Sequence, residues 1–212
     1  MNVSIDTRLW QSFISDESLS DAQAAQFKKY LTLLIEWNER FNLTAITDPN
    51  EIILYHFRDS LSLRPFIEQY PRPTIADVGT GAGFPGIPLK IVMPHAHVIL
   101  VEVNQKKITF LNEVITALEL NDIEVYPHDW RTFLRNTSYP VDLVAARASL
   151  QPKELARMFS PSSPYNTAAL VYFASQQWES DVDLPAQITN EKSYEVGDKK
   201  RRLIFFSRKP LS

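Results

Sequence analysis

A cluster of glycines follows a short apolar stretch in the first half of the chain. Four of the five glycines among the 212 residues lie within eight positions, inside segment 77–86 (DVGTGAGFPG). Residues 74–78 predict a buried strand, and residues 87–92 resume a helical spacing that places Pro88 in a first turn. Glycine lets a backbone approach a ligand closely, and free N–H groups at a helix start bind polar or anionic atoms. The segment therefore predicts a cofactor cradle.

The spacing of the glycines narrows the kind of cofactor. The dinucleotide fingerprint G-x-G-x-x-G would need its third glycine at position 84, where this chain has Phe84. The observed D-x-G-x-G-x-G pattern instead resembles motif I of class I methyltransferases, which bind S-adenosylmethionine. The next apolar run ends in Glu102, about 20 residues beyond the loop, where Rossmann-like folds place an acid for ribose hydroxyls. The alternative is an ordinary turn with a surface glutamate.

Bulk composition excludes several classes of protein. The chain has no cysteine, which excludes disulfides and thiol catalysis, and its net charge of −3 gives no overall attraction to nucleic acid. No apolar run approaches the ~20 residues of a membrane span, and the N-terminus lacks the apolar core of a signal peptide. We expect a cytoplasmic protein without a membrane partner. No long exposed apolar stripe is predicted, so we expect a monomer.

The order of predicted elements indicates an α/β fold. Helices are predicted in the first third, one from a capping box at Ser20 to about residue 39 and another from Asp48-Pro49. Beyond them strands and helices alternate, which predicts a mostly parallel sheet with helices on both faces. The predicted strands are 74–78, 97–102, 123–127, 141–146 and 168–174, and the helices lie near 86–93, 104–119, 129–135 and 151–159. A terminal antiparallel hairpin is predicted from strands near 192–197 and 202–208, separated by 198–201.

Four motifs in order resemble the RsmG (GidB) family of bacterial 16S rRNA guanine-N7 methyltransferases. Segment 36–46 (EWNERFNLTAI) is similar to its W-N-x-x-x-N-L-T, and 55–61 (YHFRDSL) to its R-H-x-x-D-S-L. Segment 77–89 resembles its glycine loop, and 102–111 (EVNQKKITFL) its E-S-x-x-K-K-x-x-F-L. The resemblance implies methyl transfer from S-adenosylmethionine to N7 of a guanine in 16S rRNA of the small ribosomal subunit. With the helix patterns of the first third, we expect a helical extension (1–72) packed on an S-adenosylmethionine-binding domain (73–212).

The resemblance assigns residues to the cofactor. Gly79, Gly81 and Gly83 would approach its methionine and ribose parts, and Glu102 its ribose hydroxyls. Phe84 would pack near it, with core filling as the alternative. The remaining residues expected at the cofactor are Asp129, Trp130, Arg131 and Arg147. The family usually has an R-x-E-E-like run where this chain has Asp129-Trp130-Arg131, so any carboxylate role there falls to Asp129.

Arg147 ends the fourth predicted strand and resembles the arginine of the family's S-R-A-F motif. It is the candidate for a catalytic residue, holding the cofactor or a target phosphate, and the alternative is a salt bridge at a strand end. His56 and Asp59 are spaced for one helix face, which by itself favours a surface or packing role. The resemblance to the family motif instead implies that they lie, with Asn42, near the mouth of the active site. No further residues complete a metal site around them, so no metal is predicted. Trp37 and Phe41 are predicted to be core residues.

Basic residues are the candidates for RNA contact. They are Lys106, Lys107, Lys199, Lys200, Arg201 and Arg202, and the alternative for each cluster is a solvated charged surface. Many family members have a lysine after the fifth strand, where this chain has Ala174-Ser175. That departure affects target handling more than cofactor binding.

Guanine N7 has a lone pair and no proton, so the implied reaction needs no general base, and the sequence names none. Two further hypotheses stay open. One is a methyltransferase acting on another RNA or a small molecule, and the other is a catalytically silent module that binds the cofactor or the ribosome.

Overall fold

Seven strands form one sheet in the computed structural model, which describes residues 4–180 and 186–208. The strands are β1 (Thr74–Val78), β2 (His97–Val101), β3 (Ile123–Tyr126), β4 (Leu143–Arg147), β5 (Ala169–Ser175), β6 (Ala186–Val196) and β7 (Lys199–Arg208). Their order is β3-β2-β1-β4-β5-β7-β6. Strands β1 to β5 are parallel, whereas β7 is antiparallel to both β5 and β6. The predicted mostly parallel sheet with an antiparallel hairpin is confirmed.

Local capping explains where the first helices begin and end. Helix α1 (Thr7–Asp16), which the sequence patterns did not delimit, begins after an aspartate whose carboxylate accepts two backbone N–H groups. Helix α2 (Asp21–Phe41) begins with the predicted capping box, in which Ser20 and Gln23 bond reciprocally. It ends at Asn42, which adopts a left-handed conformation with φ of 48°.

The next helical segment carries the motif with His56. As predicted, it is capped by Asp48 and has Pro49 in its first turn. It consists of α3 (Pro49–Ile52), a wider π-helix (Ile53–Arg58) and α4 (Asp59–Leu61), and α5 (Arg64–Ile67) follows. π-helical turns are uncommon and often occur at functional sites.

The remaining helices connect the parallel strands. They are α6 (Gly86–Val92), α7 (Gln105–Ala117), α8 (Trp130–Asn136) and α9 (Pro152–Leu155), the last continuing as a 3₁₀ turn (Ala156–Phe159). The single helix predicted over 151–159 is therefore divided into two types of turn.

The hairpin differs from the prediction in the position of its turn. Gly197 has a φ of +59° and makes the turn with Asp198, so β7 already begins at Lys199. The residues 199–201 expected in the connection are paired with β6. A tight turn with glycine at positive φ makes a short connection possible, and that lengthens both strands.

Two apolar clusters bury the two faces of the sheet. On one face, ring centroids follow one another from Phe13 to Phe27 (5.0 Å), Phe57 (5.0 Å), Tyr30 (5.4 Å) and Phe84 (5.4 Å). This aromatic chain joins the N-terminal helices to the glycine loop. The buried Tyr30 hydroxyl also donates a hydrogen bond to the carbonyl of Ala82 within that loop.

One prediction about the core is wrong. Trp37 is half-buried and packs against Phe110 of α7 at 5.6 Å, but Phe41 is 37% exposed. Phe41 is the last residue of α2, where the neighbouring elements no longer cover the helix, and its aromatic neighbour is Trp37 at 5.1 Å.

The described helices include none with the length and apolar character that crossing a membrane requires.

We predict that Tyr30→Phe lowers the free energy of unfolding by about 1–3 kcal/mol, because it removes the buried donor to the carbonyl of Ala82 while keeping the ring. Denaturant unfolding measures the change. Tyr126→Phe is the control, since the Tyr126 hydroxyl makes no side-chain hydrogen bond within the described chain. Equal stability of the Tyr30→Phe variant and the wild type would contradict a role for this contact.

Candidate functional site

The glycine loop lies between β1 and α6, at the carboxyl ends of the parallel strands. Gly79, Gly81 and Gly83 have φ values of +67°, +64° and +99°, which side chains other than hydrogen rarely permit. A Cβ at Gly79 would also lie 2.4 Å from Ser149 Cβ. At Gly81 the nearest atom to a Cβ would be Lys107 Nζ at 3.9 Å. The backbone at Gly81 is therefore open to a ligand, whereas Gly79 is needed for close packing as well.

Asp77 holds this loop from within and was not among the predicted site residues. Its Oδ2 accepts hydrogen bonds from Thr80 Oγ1 (2.6 Å) and Gly86 N (2.7 Å). Burial raises the pKa of the carboxyl to about 6, although both hydrogen bonds oppose the shift. Its Oδ1 is buried and has no partner in the described part of the chain. The acid of the D-x-G-x-G pattern was the available sequence signal for this role.

Glu102 ties the end of β2 to the same loop. Its Oε2 accepts from Gly81 N at 3.0 Å, and its Oε1 accepts from Val103 N and Asn104 N, each at 2.9 Å. The residue is 8% exposed, so the alternative of a surface glutamate is excluded.

Two clefts meet at Gly79. The first, the Trp130 cleft, has a volume of about 640 Å³. It is lined by Val78, Gly79, Val101, Val103, His128, Asp129, Trp130, Arg131, Arg135, Ser149, Leu150 and Glu154. The second, the Arg147 cleft, has a volume of about 280 Å³. It is lined by Leu43, Thr44, Ile46, Tyr55, His56, Asp59, Gly79, Thr80, Gly81, Ala82, Phe84, Lys107, Arg147, Ala148, Phe173 and Arg201. One ligand lying along the glycine loop can therefore reach both.

Arg147 lies at the end of β4 and joins residues from separate motifs. Its Nη1 donates to the carbonyl of Tyr55 (3.0 Å) and to Asp59 Oδ2 (2.9 Å), and its Nη2 donates to His56 Nδ1 (3.0 Å). Its guanidinium carbon lies 5.0 Å from the centroid of the Phe84 ring. The salt bridge considered as the alternative is thus present, within the cleft itself. The Nε–H has no partner among the described residues and remains available to a ligand.

The tautomer of His56 follows from its contact with Arg147. A guanidinium only donates, so Nδ1 carries no proton and Nε2–H donates to Thr44 Oγ1 at 2.8 Å. Burial, together with the charge of Arg147, lowers the pKa of His56 to about 3. The ring stacks on Phe84 with 4.4 Å between centroids. His56 is therefore a neutral positioning group at any physiological pH.

Asp59 also binds the C-terminal hairpin. Its Oδ1 accepts a hydrogen bond from the hydroxyl of Tyr194 on β6 at 2.8 Å. Burial and the negative charge of Asp59 raise the pKa of that hydroxyl, which therefore stays protonated and donates. Tyr55 makes a parallel contact, donating to Asp198 Oδ1 at 2.5 Å. Neither tyrosine was predicted as a site residue, although Tyr55 directly precedes His56, and only the fold brings Tyr194 to Asp59.

The residues expected after β3 line the Trp130 cleft in different ways. Asp129 caps α8 by accepting from Thr132 N at 2.9 Å, which lowers the pKa of its carboxyl. Trp130 is buried and its indole N–H donates to the carbonyl of Glu154. Arg131 pairs with the Glu154 carboxylate at 2.7 Å. All three side chains have structural partners while bordering the cleft.

The predicted basic residues separate into two groups. Lys107 and Arg201 line the Arg147 cleft, and Lys199 Nζ lies 3.8 Å from the ring centroid of Tyr55 beside it. Arg201 pairs in register with Ser175, at the place where many family members have a lysine and this chain has none. Lys106 and Asn42 line an adjoining depression that shares Leu43 and Lys107 with the cleft.

Arg202 and Lys200 contact other parts of the protein. Arg202 binds the Glu191 carboxylate at 3.0 Å and donates to the carbonyls of Ser175 and Trp178. With its side chain 16% exposed, it stabilises the hairpin and is not free for RNA. Lys200 is exposed near Glu195 at 3.8 Å.

The fold matches solved structures of a methyltransferase and of a protein that binds S-adenosylmethionine. An S-adenosylmethionine-dependent methyltransferase from Aquifex aeolicus superposes with a TM-score of 0.56 at 19% identity, covering 78% of this chain and 96% of that one. A mutant of MtNAS in complex with S-adenosylmethionine gives 0.62 at 16% identity, covering 99% and 86%. At these identities the likeness establishes the class I methyltransferase fold.

Sequence relatives are much closer. "Ribosomal RNA small subunit methyltransferase G" of Bacillus pumilus is 46% identical over 148 residues, which are 68% of this chain and 61% of the relative. The protein of the same name from Listeria monocytogenes serotype 4b is 41% identical over 160 residues, 74% and 67% of the two chains. The match thus spans about three fifths of the Bacillus relative. The family model GidB, described as rRNA small subunit methyltransferase G, matches residues 23–202. The chain therefore belongs to the GidB family.

Proposed function

We propose that this protein transfers a methyl group from S-adenosylmethionine to N7 of a guanine in 16S rRNA of the small ribosomal subunit. The meeting of two clefts at Gly79 carries the proposal, because two adjoining cavities at one glycine loop could take a cofactor and a substrate next to each other. In open α/β sheets, ligands bind at the carboxyl ends of the parallel strands, where this glycine loop lies. The names of the family and of the relatives, which refer to ribosomal RNA and the small subunit, support the RNA substrate. We further propose that it acts as a cytoplasmic monomer, with 1–72 as a helical extension of the domain 73–212.

The residues present fit S-adenosylmethionine. Gly79 and Gly81 would accommodate its methionine and ribose parts, since the nearest atom to a Cβ at Gly81, Lys107 Nζ, would be 3.9 Å away. Glu102 would accept from the ribose hydroxyls, and the apolar walls of the Trp130 cleft, Val101 and Trp130 among them, would take the adenine. The bound cofactor supplies an electrophilic methyl group.

The Arg147 cleft would hold the guanine with N7 aimed at the cofactor. Guanine N7 carries no proton, and His56 has its pKa at about 3 and both ring nitrogens engaged, so the chain provides position and not proton transfer. Arg147 would orient the nucleotide through its unpaired Nε–H. Its positive charge is balanced by Asp59, which limits repulsion of the cationic 7-methylguanine product. Fixed dipoles and alignment of this kind are a major source of rate enhancement.

Methyl transfer to ribosomal particles tests the function. Small subunits from a strain lacking the enzyme are incubated with labelled S-adenosylmethionine, with deproteinised RNA and wild-type subunits in parallel, and then digested to nucleosides. We expect label in 7-methylguanosine only when the RNA comes from the deficient strain. Cofactor binding without transfer to any of these would contradict the proposed substrate and favour another RNA, a small molecule or a silent binding module.

We predict that Glu102→Ala weakens S-adenosylmethionine binding at least tenfold, since it removes a charge-assisted acceptor worth about 1.5–3 kcal/mol. Isothermal calorimetry measures the affinity. Glu39→Ala, which changes an exposed glutamate on α2, is the matched control. Unchanged affinity in Glu102→Ala would remove this residue from the cofactor site.

We predict that His56→Gln keeps kcat within about threefold, because glutamine offers an acceptor to Arg147 and a donor to Thr44. A general base contributes about 10²–10⁴-fold, so a loss of that size would contradict the proposed chemistry.

The pH dependence of the rate in the wild type and in His56→Gln shows which group titrates, Asp77 or His56. Protonation of Asp77 below a pH of about 6 weakens its acceptance from Thr80 and Gly86 and loosens the loop, so the rate falls there in both enzymes. An acid limb present in the wild type and absent from His56→Gln would assign it to the histidine instead.

A further inference from the structure

An exposed aromatic ring ends helix α2 beside the active site. Phe41 is 37% exposed and lines a depression of about 390 Å³. The other lining residues are Asn42, Leu43, Asn104, Gln105, Lys106 and Lys107. The depression therefore combines an aromatic surface with amide and ammonium groups.

The ring of Phe41 packs against Trp37, whose own position is fixed by a hydrogen bond. Trp37 lies 5.1 Å away between ring centroids, and the Trp37 indole N–H is fixed by Glu113 Oε1 at 3.1 Å. Lys106 Nζ lies 5.4 Å from the Phe41 centroid. A ring held in this way presents a surface at little further cost in conformational entropy.

The depression is continuous with the Arg147 cleft. Leu43 and Lys107 line both. Lys107 Nζ also lies 3.9 Å from the position that a Cβ on Gly81 would occupy. A chain leaving the Arg147 cleft along Lys107 would therefore reach Phe41 next.

The charges of this surface suit a polyanion. Within 4–180 and 186–208, neither Lys106 nor Lys107 has a carboxylate within the 4.0 Å of an ion pair. Asn104 Oδ1 accepts from the backbone N–H of both lysines, at 3.0 and 3.3 Å, which leaves its amide NH₂ to donate elsewhere. Aromatic rings interleaved with cations are the usual means of binding single-stranded nucleic acid.

We propose that Phe41 is a stacking platform for an unpaired base adjacent to the target guanine, with Lys106 and Lys107 on the neighbouring phosphates. The inference rests on the proposed RNA substrate and adds how that RNA is held. The base takes the exposed face of Phe41, and the long Lys106 side chain swings its ammonium from the ring to a phosphate. Stacking is tolerant of base identity, so this contact positions the strand and leaves sequence selection to the Arg147 cleft.

Kinetics with deficient small subunits test the platform. Phe41→Leu keeps an apolar side chain but removes the aromatic face, and we expect the KM for subunits to rise about tenfold while kcat and the Kd for S-adenosylmethionine stay within twofold. Phe41→Trp keeps an aromatic face, so it should retain the KM of the wild type. If Phe41 had only a structural role, the KM would not depend on whether the side chain is aromatic. Tyr70→Ala is the matched control, because Tyr70 is also 37% exposed but precedes the amino end of β1. It should leave all three constants unchanged.

The outcomes separate this inference from the proposed function. A wild-type protein that methylates no RNA overturns the proposed function and the platform with it. A wild-type protein that methylates subunits, with Phe41→Leu showing the same KM, overturns the platform alone. A weaker Kd for S-adenosylmethionine in Phe41→Leu would also overturn it, since the residue would then act through the cofactor loop.

Discussion

The buried ion pair of Arg147 with Asp59 is the contact on which the site depends. It joins the end of β4 to the helical segment that contains His56, and Tyr194 extends it to the C-terminal hairpin. A buried pair of charges is favourable only when its remaining donors and acceptors are satisfied, and removal of one partner leaves a costly isolated charge. Here the carbonyl of Tyr55, the imidazole and the phenol supply partners, and the Nε–H of Arg147 is left without one among the described residues. Three distant parts of the chain are thereby held in one geometry.

That geometry fixes the electrostatics of the cleft before any ligand binds. Burial and the charge of Arg147 lower the pKa of His56 and keep it neutral, and the guanidinium selects its tautomer, so that Nε2–H donates to Thr44 Oγ1. Phe84 packs against both the imidazole and the guanidinium, so the glycine loop is in contact with the same network. Preorganised dipoles need no rearrangement during reaction. For a nucleophile such as guanine N7, which loses no proton, a rigid and aligned cleft is the main requirement.

The features that depend on residues close in sequence were predicted. The contacts between distant parts of the chain were not. The strand 74–78, the glycine turn and the capping box of α2 depend on residues close in sequence, and all were found. Tyr194 lies 135 positions from its partner Asp59, so only strand register brings it to the site. The buried role of Arg202 depends on the same register, and the exposure of Phe41 on where neighbouring elements end. Motif resemblance named Arg147 and His56 without indicating that they touch.

The central claim is that Arg147 and Asp59 act as one positioning unit. Single-turnover methyl transfer in Arg147→Lys, Asp59→Asn and the double variant measures this directly, with cofactor affinity determined in parallel. Each single change should slow transfer by about 10²-fold, and the double variant should be no slower than the worse single one, since members of a unit are not additive. Cofactor affinity should stay within threefold. Additive losses, or losses explained by weaker cofactor binding, would contradict the account.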